Sequence, residues 1–175
     1  NFVQGYFQYD SKKSGGVTRS HIRISDYEIL KPYYVESPSL VVVSKDSYMY
    51  KYDVIDNIKD GGTLLLNTNL SHEELLKSLP DKIKYMLKSK NVKLYTIDAY
   101  KLVNSLGLKN KISTCMEICI FYILGIMDND DVKSIMKKMN EKRFAKKGQD
   151  VIDVNNKVVD ISVDYLEKVD ISGFV

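Results

Sequence analysis

Between residues 40 and 126, short apolar runs alternate with helical patterns, and nothing else in the 175 residues restricts the fold as much. The runs are Leu40–Val43, 63–66 and 92–97. Leu40–Val43 is apolar without alternation, as expected of a strand covered on both faces, and 63–66 and 92–97 read as further core strands. The segments between them carry helix signals. Asp46 is placed to cap a helix reaching about Ile58, with Met49, Val54, Ile55 and Ile58 as its apolar positions and Asp60-Gly61-Gly62 as its end. Ser71-His72-Glu73-Glu74 is a capping box opening a short helix to Leu79. Pro80 restarts the pattern, and Ile83, Met86 and Leu87 line one face. Asp98 caps a helix to Leu106, where Gly107 stops it, and 112–126 is the most apolar helix. Strand, helix, strand, helix, strand, helix in this order predicts an α/β sheet with parallel central strands.

The flanks differ in kind. Phe2–Tyr9 mixes aromatics with polar residues, a polar glycine-containing stretch follows at 11–16, and 18–24 sets Arg19 and His21 against Ile22 and Ile24. These predict two antiparallel strands joined by a turn. After residue 126, Asn129 is read as capping a shorter helix with Val132, Ile135, Met136 and Met139 on one side. Lys146-Lys147-Gly148 reads as a loop, and 151–169 has helical spacing to the end. The expectation is one α/β domain over 1–175: a Rossmann-like mixed sheet with parallel core strands, an N-terminal antiparallel hairpin and a helical C-terminal tail.

Composition narrows the function. The net charge of +3 lacks the basic stripe with aromatics that nucleic-acid binding requires, so no nucleic-acid partner is expected. No apolar stretch reaches the roughly 18–20 residues of a membrane span, and 112–126 is interrupted by Ser113, Thr114, Glu117 and Gly125. The opening residues Asn1-Phe2-Val3-Gln4-Gly5 lack the pattern of a secretory leader, and the start without Met reads as an excised fragment. Cys115 and Cys119, four apart on an apolar helix, read as core thiols in a reducing, cytosolic setting; no metal site is expected from them. His21 reads as a surface or interface residue and His72 as a solvated residue of a helix N-terminus. No dinucleotide, Walker-type or nucleophile-elbow motif occurs, and no catalytic residue is assigned.

One segment concentrates polar chemistry. Lys12, Lys13, Ser14, Gly15, Gly16 and Thr18 lie close together, with Ser11 before them and Arg19 and Arg23 after. Glycines let backbone N–H groups approach an anion, lysines add charge, hydroxyls donate further bonds, and an arginine fork clamps phosphate. A solvated hairpin turn has the same composition, and the residues alone leave both readings open. The lysines at 133, 137, 138, 142, 146 and 147 interleave with Asp128, Asp130, Asp131 and Glu141 and read as a solvated helix face.

The run Gly5-Tyr6-Phe7-Gln8-Tyr9-Asp10-Ser11-Lys12-Lys13-Ser14-Gly15-Gly16-Val17-Thr18, with Ser20-His21-Ile22-Arg23 behind it, resembles the gamma-type domain of 2-oxoacid:acceptor oxidoreductases. The similarity is to the single-chain pyruvate:ferredoxin (flavodoxin) branch, which includes a fused pyruvate:NADP variant. Lys59-Asp60-Gly61-Gly62-Thr63, Tyr95-Thr96-Ile97-Asp98-Ala99 and Lys146-Lys147-Gly148 support it, and it runs over nearly the whole chain. The family's first strand–Gly-rich loop–helix unit is not found in the sequence. The resemblance implies an enzyme that oxidatively decarboxylates pyruvate to acetyl-CoA with thiamine diphosphate, Mg2+ and [4Fe-4S] clusters, all held by other domains. This domain is then expected to cover the active site and help bind coenzyme A through Lys12, Lys13, Ser14, Gly15, Gly16, Thr18 and Arg19, without catalysing by itself. Other domains of the same enzyme are the implied partners, in a homodimer, in the cytoplasm or in an anaerobic energy organelle of a protist. A free-standing subunit or module binding a nucleotide-like anion, or a pure docking domain, are the alternatives.

Overall fold

The computed structural model describes residues 2–9 and 16–174. The chain divides into two compact units, 1–38 and 39–175. In the first, β1 (Phe2–Tyr9) and β2 (Thr18–Ser25) form a two-stranded antiparallel sheet, with Tyr9 opposite Thr18, Tyr6 opposite His21 and Phe2 opposite Ser25. The expected hairpin is therefore present.

The second unit is built on a four-stranded sheet of β3 (Leu40–Val43), β4 (Thr63–Asn67), β5 (Lys93–Ile97) and β6 (Glu167–Val169), in that order. β3, β4 and β5 are parallel and β6 is antiparallel to β5. The Leu64-Leu65-Leu66 run shows why β4 reads as a continuous apolar stretch. All three are fully buried, yet Leu64 and Leu66 join one core cluster and Leu65 the other. The first cluster is closed by α2 (His72–Ser78) and α3 (Asp81–Ser89) through Leu75, Ile83 and Leu87. The second is closed by α4 (Ala99–Ser105), α5 (Ser113–Leu124), α6 (Asn129–Phe144) and α7 (Gln149–Ile161) through Leu102, Ile118, Met136 and Val158. Each such aliphatic side chain, fully buried, contributes roughly 1.5–3 kcal/mol. No helix among the described residues is long and apolar enough to cross a membrane.

Several helix ends match their sequence signals. The Ser71 hydroxyl accepts from the Glu74 N–H (3.3 Å), while the Ser71 N–H donates to Glu74 Oε2 (2.7 Å). Asp98 Oδ1 accepts from the Lys101 N–H at 2.9 Å. α5 ends at Gly125, whose φ of 58° is the left-handed conformation that glycine adopts without steric cost. The capping box has an acid signature. The Ser71 backbone N–H, and then its hydroxyl, hold the Glu74 carboxyl below its ordinary value; Asp170 is lowered likewise by the Ser172 N–H and hydroxyl. A depressed carboxylate stabilises the fold fully above its unfolded pKa, about 4, and that contribution is lost as pH falls through the lower folded pKa. Stability should thus decline from about pH 4 downward, and Glu74→Gln should flatten that decline in urea melts taken across pH 5 to 3.

Three elements depart from expectation. The helix expected from Asp46 to Ile58 is a single turn, α1 (Tyr48–Lys51), after which Tyr52 is extended. Asp46 does not cap it, because its carboxylate accepts from Thr68 Oγ1 at 3.0 Å. The following loop is held by Lys82, which bonds Asp53 and Asp56 (2.8 and 3.0 Å), and by Lys90, which donates to the Asp56 and Ile58 carbonyls (2.9 Å each). Ile55 and Ile58 still reach the core from that loop. α6 is long, 16 residues, and its cap is Asp128, which accepts from the Asp130 N–H at 2.9 Å. The tail is helical only to Ile161; a 3-10 turn (Ser162–Tyr165) leads into β6, which satisfies the outer edge of β5. Three residues are too few to show a period of two.

Candidate functional site

In an antiparallel pair, residues directly opposite share a face, and the face alternates along the strand. The β1–β2 register therefore places Gln4, Tyr6, Gln8, Arg19, His21 and Arg23 on one side of the hairpin. Phe7, Tyr9, Thr18 and Ile22 lie on the other. Tyr9 opposite Thr18 is the last pair of the ladder. Of the predicted anion-binding residues, Lys12, Lys13, Ser14 and Gly15 lie outside the described residues. Gly16 is half-buried, and Thr18 and Arg19 are exposed. Thr18 and Arg19, the first two residues of β2, lie on opposite faces of the sheet, as alternation along a strand requires.

Arg23 is engaged within its own unit. Its guanidinium donates to Gln4 Oε1 (2.9 Å) and to the carbonyls of Tyr33 (3.3 Å) and Tyr34 (3.4 Å), and it lies 3.6 Å from the centroid of the Tyr33 ring. These contacts occupy both terminal nitrogens and one flat face of the group. His21 is also engaged. Its Nδ1 accepts from the Val35 N–H (3.2 Å), so in the neutral ring Nε2 carries the hydrogen toward Gln8 Oε1 at 3.1 Å. The Tyr34 ring packs 4.8 Å away. Both side chains pin the 33–35 segment across the polar face of the hairpin; Arg19, on the same face, makes no side-chain bond among the described residues. His72 likewise has a partner, Glu167 Oε2 of β6 at 2.9 Å.

A second place where open α/β sheets take ligands is the carboxyl end of the parallel strands. Here it is closed by internal bonds. Asn67, 2% exposed, donates to the Ser44 carbonyl (3.0 Å) and accepts from the Ala99 N–H (2.9 Å). Thr68 donates to Asp46 and accepts from the Leu70 N–H at 3.2 Å. These groups tie β3, β4 and α4 together, with their hydrogen-bonding capacity turned inward.

Cys115 and Cys119 are buried on α5. The Cys115 sulfur against it, and then burial, push the Cys119 thiol up, so that thiol stays protonated. No group of three or more His, Cys, Asp or Glu able to hold a metal occurs among the described residues. Two thiols on one buried face do not fit an iron–sulfur cluster. A thiol-specific disulfide reagent should titrate neither cysteine in the native chain and both after denaturation; a fast native reaction would show that α5 is not packed.

A family model described as pyruvate ferredoxin/flavodoxin oxidoreductase matches residues 1–165, and the chain belongs to that family. It is 35% identical over 168 residues to a pyruvate-flavodoxin oxidoreductase of Trichormus variabilis, covering 96% of this chain and 14% of that protein. It is 36% identical over 168 residues to the pyruvate:ferredoxin oxidoreductase of Moorella thermoacetica, again covering 96% and 14%. With a pyruvate dehydrogenase [NADP(+)] of Cryptosporidium parvum it shares 38% over 165 residues, 94% of this chain and 8% of that one. The chain thus spans about a seventh or less of these relatives. Among solved structures, the pyruvate oxidoreductase subunit PORC of Thermotoga maritima superposes with a TM-score of 0.69 at 22% identity, covering 97% of this chain and 82% of that one. This bears out the expected fold.

Proposed function

We propose that this chain is the gamma-type domain, over 1–175, of a pyruvate:ferredoxin-type oxidoreductase that forms acetyl-CoA. In this reading it covers the active site and helps bind coenzyme A through Lys12, Lys13, Ser14, Gly15, Gly16, Thr18 and Arg19. The observation that supports the reading is the hairpin within the family match, in which Thr18 pairs with Tyr9 and Arg19 with Gln8, next in sequence to a segment with two lysines and two glycines. The polar end of coenzyme A is strongly anionic, and ammonium groups beside exposed backbone donors suit it. Thiamine diphosphate, Mg2+ and [4Fe-4S] clusters belong, in this reading, to the remaining length of the enzyme, and the chain by itself does not turn over. Other domains of the enzyme are its partners, in a cytoplasmic or organellar homodimer.

Charge-assisted contacts contribute about 1.5–3 kcal/mol each, roughly ten- to a hundredfold in affinity. Lys12→Ala with Lys13→Ala in the intact enzyme should raise the Michaelis constant for coenzyme A at least about tenfold and leave that for pyruvate nearly unchanged. Equal losses for both substrates would mean a structural turn. A second reading, a free-standing subunit, is favoured by the likeness to PORC, itself described as a subunit. The size of the native polypeptide in a denaturing gel separates the two.

A further inference from the structure

A cavity of about 400 Å³ in the 39–175 unit, far along the chain from the hairpin, collects cations that the coenzyme A reading leaves unused. Lys111 comes from the loop before α5, Arg143 from the last turn of α6 and Lys147 from the 3-10 turn (Ala145–Lys147) that follows. Arg143 faces Glu117 at 3.3 and 3.5 Å, the one carboxylate paired with any of the three among the described residues. Lys111 and Lys147 make no ion pair among the described residues; Lys147 Nζ lies 5.5 Å from the Phe144 ring centroid. Asp150, in the first turn of α7, is exposed beside the cavity residue Val151. Three cations against one paired carboxylate repel one another across a shared cavity, and a bound anion relieves that repulsion.

The rest of the lining adds two kinds of contact. α5 starts here, at Ile112 and Ser113, with no side-chain cap and no acid in its first turn, so its leading N–H groups have no side-chain acceptor. Asn155, 4% exposed, lies deepest; its carbonyl accepts from Thr114 Oγ1 at 3.2 Å and its amide donates to the Val151 carbonyl at 2.8 Å, which fixes the floor in place. Leu108, Phe144 and Val151 give apolar wall.

We propose that this cavity binds a small organic oxyanion, a phosphate or a carboxylate on an apolar body. The anionic head sits against Lys111, Lys147 and the first-turn N–H groups of α5, and the apolar part lies along Leu108, Phe144 and Val151. Arg143 stays with Glu117 and contributes field. All of its lining residues belong to the 39–175 unit.

The test is a titration of the 15N-labelled full chain with phenyl phosphate and, separately, benzoate, at constant ionic strength held with sodium chloride. Saturable shifts of the Ser113 and Thr114 amide signals are expected with at least one probe, and the stronger probe tells phosphate from carboxylate. Lys111→Gln with Lys147→Gln should weaken that binding about tenfold or more, while Lys111→Arg with Lys147→Arg retains it. Both lysines are exposed and unpaired, so neither variant should change the melting temperature. Shifts that merely track salt, that survive unchanged in the glutamine variant, or that fall on residues 16–19 instead would overturn the proposal.

Discussion

Phe174→Ala should cost about 3–5 kcal/mol, the largest loss expected of any substitution near the end of the chain. Phe174 is fully buried in the cluster that includes Leu64, Leu75, Leu87 and Val169. A short bend brings it there: Asp170 accepts from the Ser172 N–H at 2.9 Å, and the Phe174 N–H donates to the Ile171 carbonyl at 3.0 Å. Truncation leaves a cavity beneath α2, because Leu75 and its neighbours are held by their helix and cannot collapse into it. At roughly 2–4 °C per kcal/mol for a chain of this size, the melting temperature should fall by about 6–20 °C. The urea midpoint should drop with the slope unchanged. Tyr165→Ala, at a residue 55% exposed in the preceding 3-10 turn, is the control and should stay within about 0.5 kcal/mol. A similarly small loss at Phe174 would mean that the tail does not pack.

Gly62→Ala should be nearly as damaging, about 3 kcal/mol, and for a different reason. A methyl group there would stand 2.8 Å from the Lys59 carbonyl oxygen, 3.2 Å from that of Ser39 and 3.0 Å from Ile58 Cγ1. Two of these are backbone atoms with fixed duties. The Lys59 carbonyl accepts from the Gly62 N–H at 2.9 Å, and the Ser39 carbonyl accepts from the Thr63 N–H at 2.9 Å, at the start of the β3–β4 ladder. Relief of the clash therefore loosens the entry to the central strand. The adjacent Gly61→Ala meets no atom and pays only for its φ of 69°, about 1–2 kcal/mol. Denaturant melts of the two variants should differ in that order; Gly61→Ala proving the worse would show that Gly62 is not packed against the Lys59 and Ser39 carbonyls.

What could be read in the sequence is what local chemistry decides. Leu64, Leu65 and Leu66 in a row require a strand covered on both faces. Ser71 with Glu74 requires a helix start, and Gly107 and Gly125 each end a helix in the left-handed conformation. The polar run at 11–19 marked the candidate loop by composition. The cation cavity left no comparable signal: Lys111, Arg143, Lys147 and Asn155 are scattered between positions 111 and 155, and only the packing of α5, α6 and α7 brings them to one cavity.

By itself, then, the sequence determined the kind and order of elements, the parallel core of the sheet, the hairpin and the family signature, since each rests on neighbouring residues or on a period of two or 3.6. Only the tertiary structure decided the rest. It drew Asp46 away from a helix cap to Thr68, turned 167–169 into a strand because β5 had an open edge, and engaged Arg23 with Tyr33 and Tyr34. In each case a partner distant in sequence offered a stronger bond, or a better-covered backbone group, than the local pattern could, and competition of that kind leaves no trace in a one-dimensional pattern.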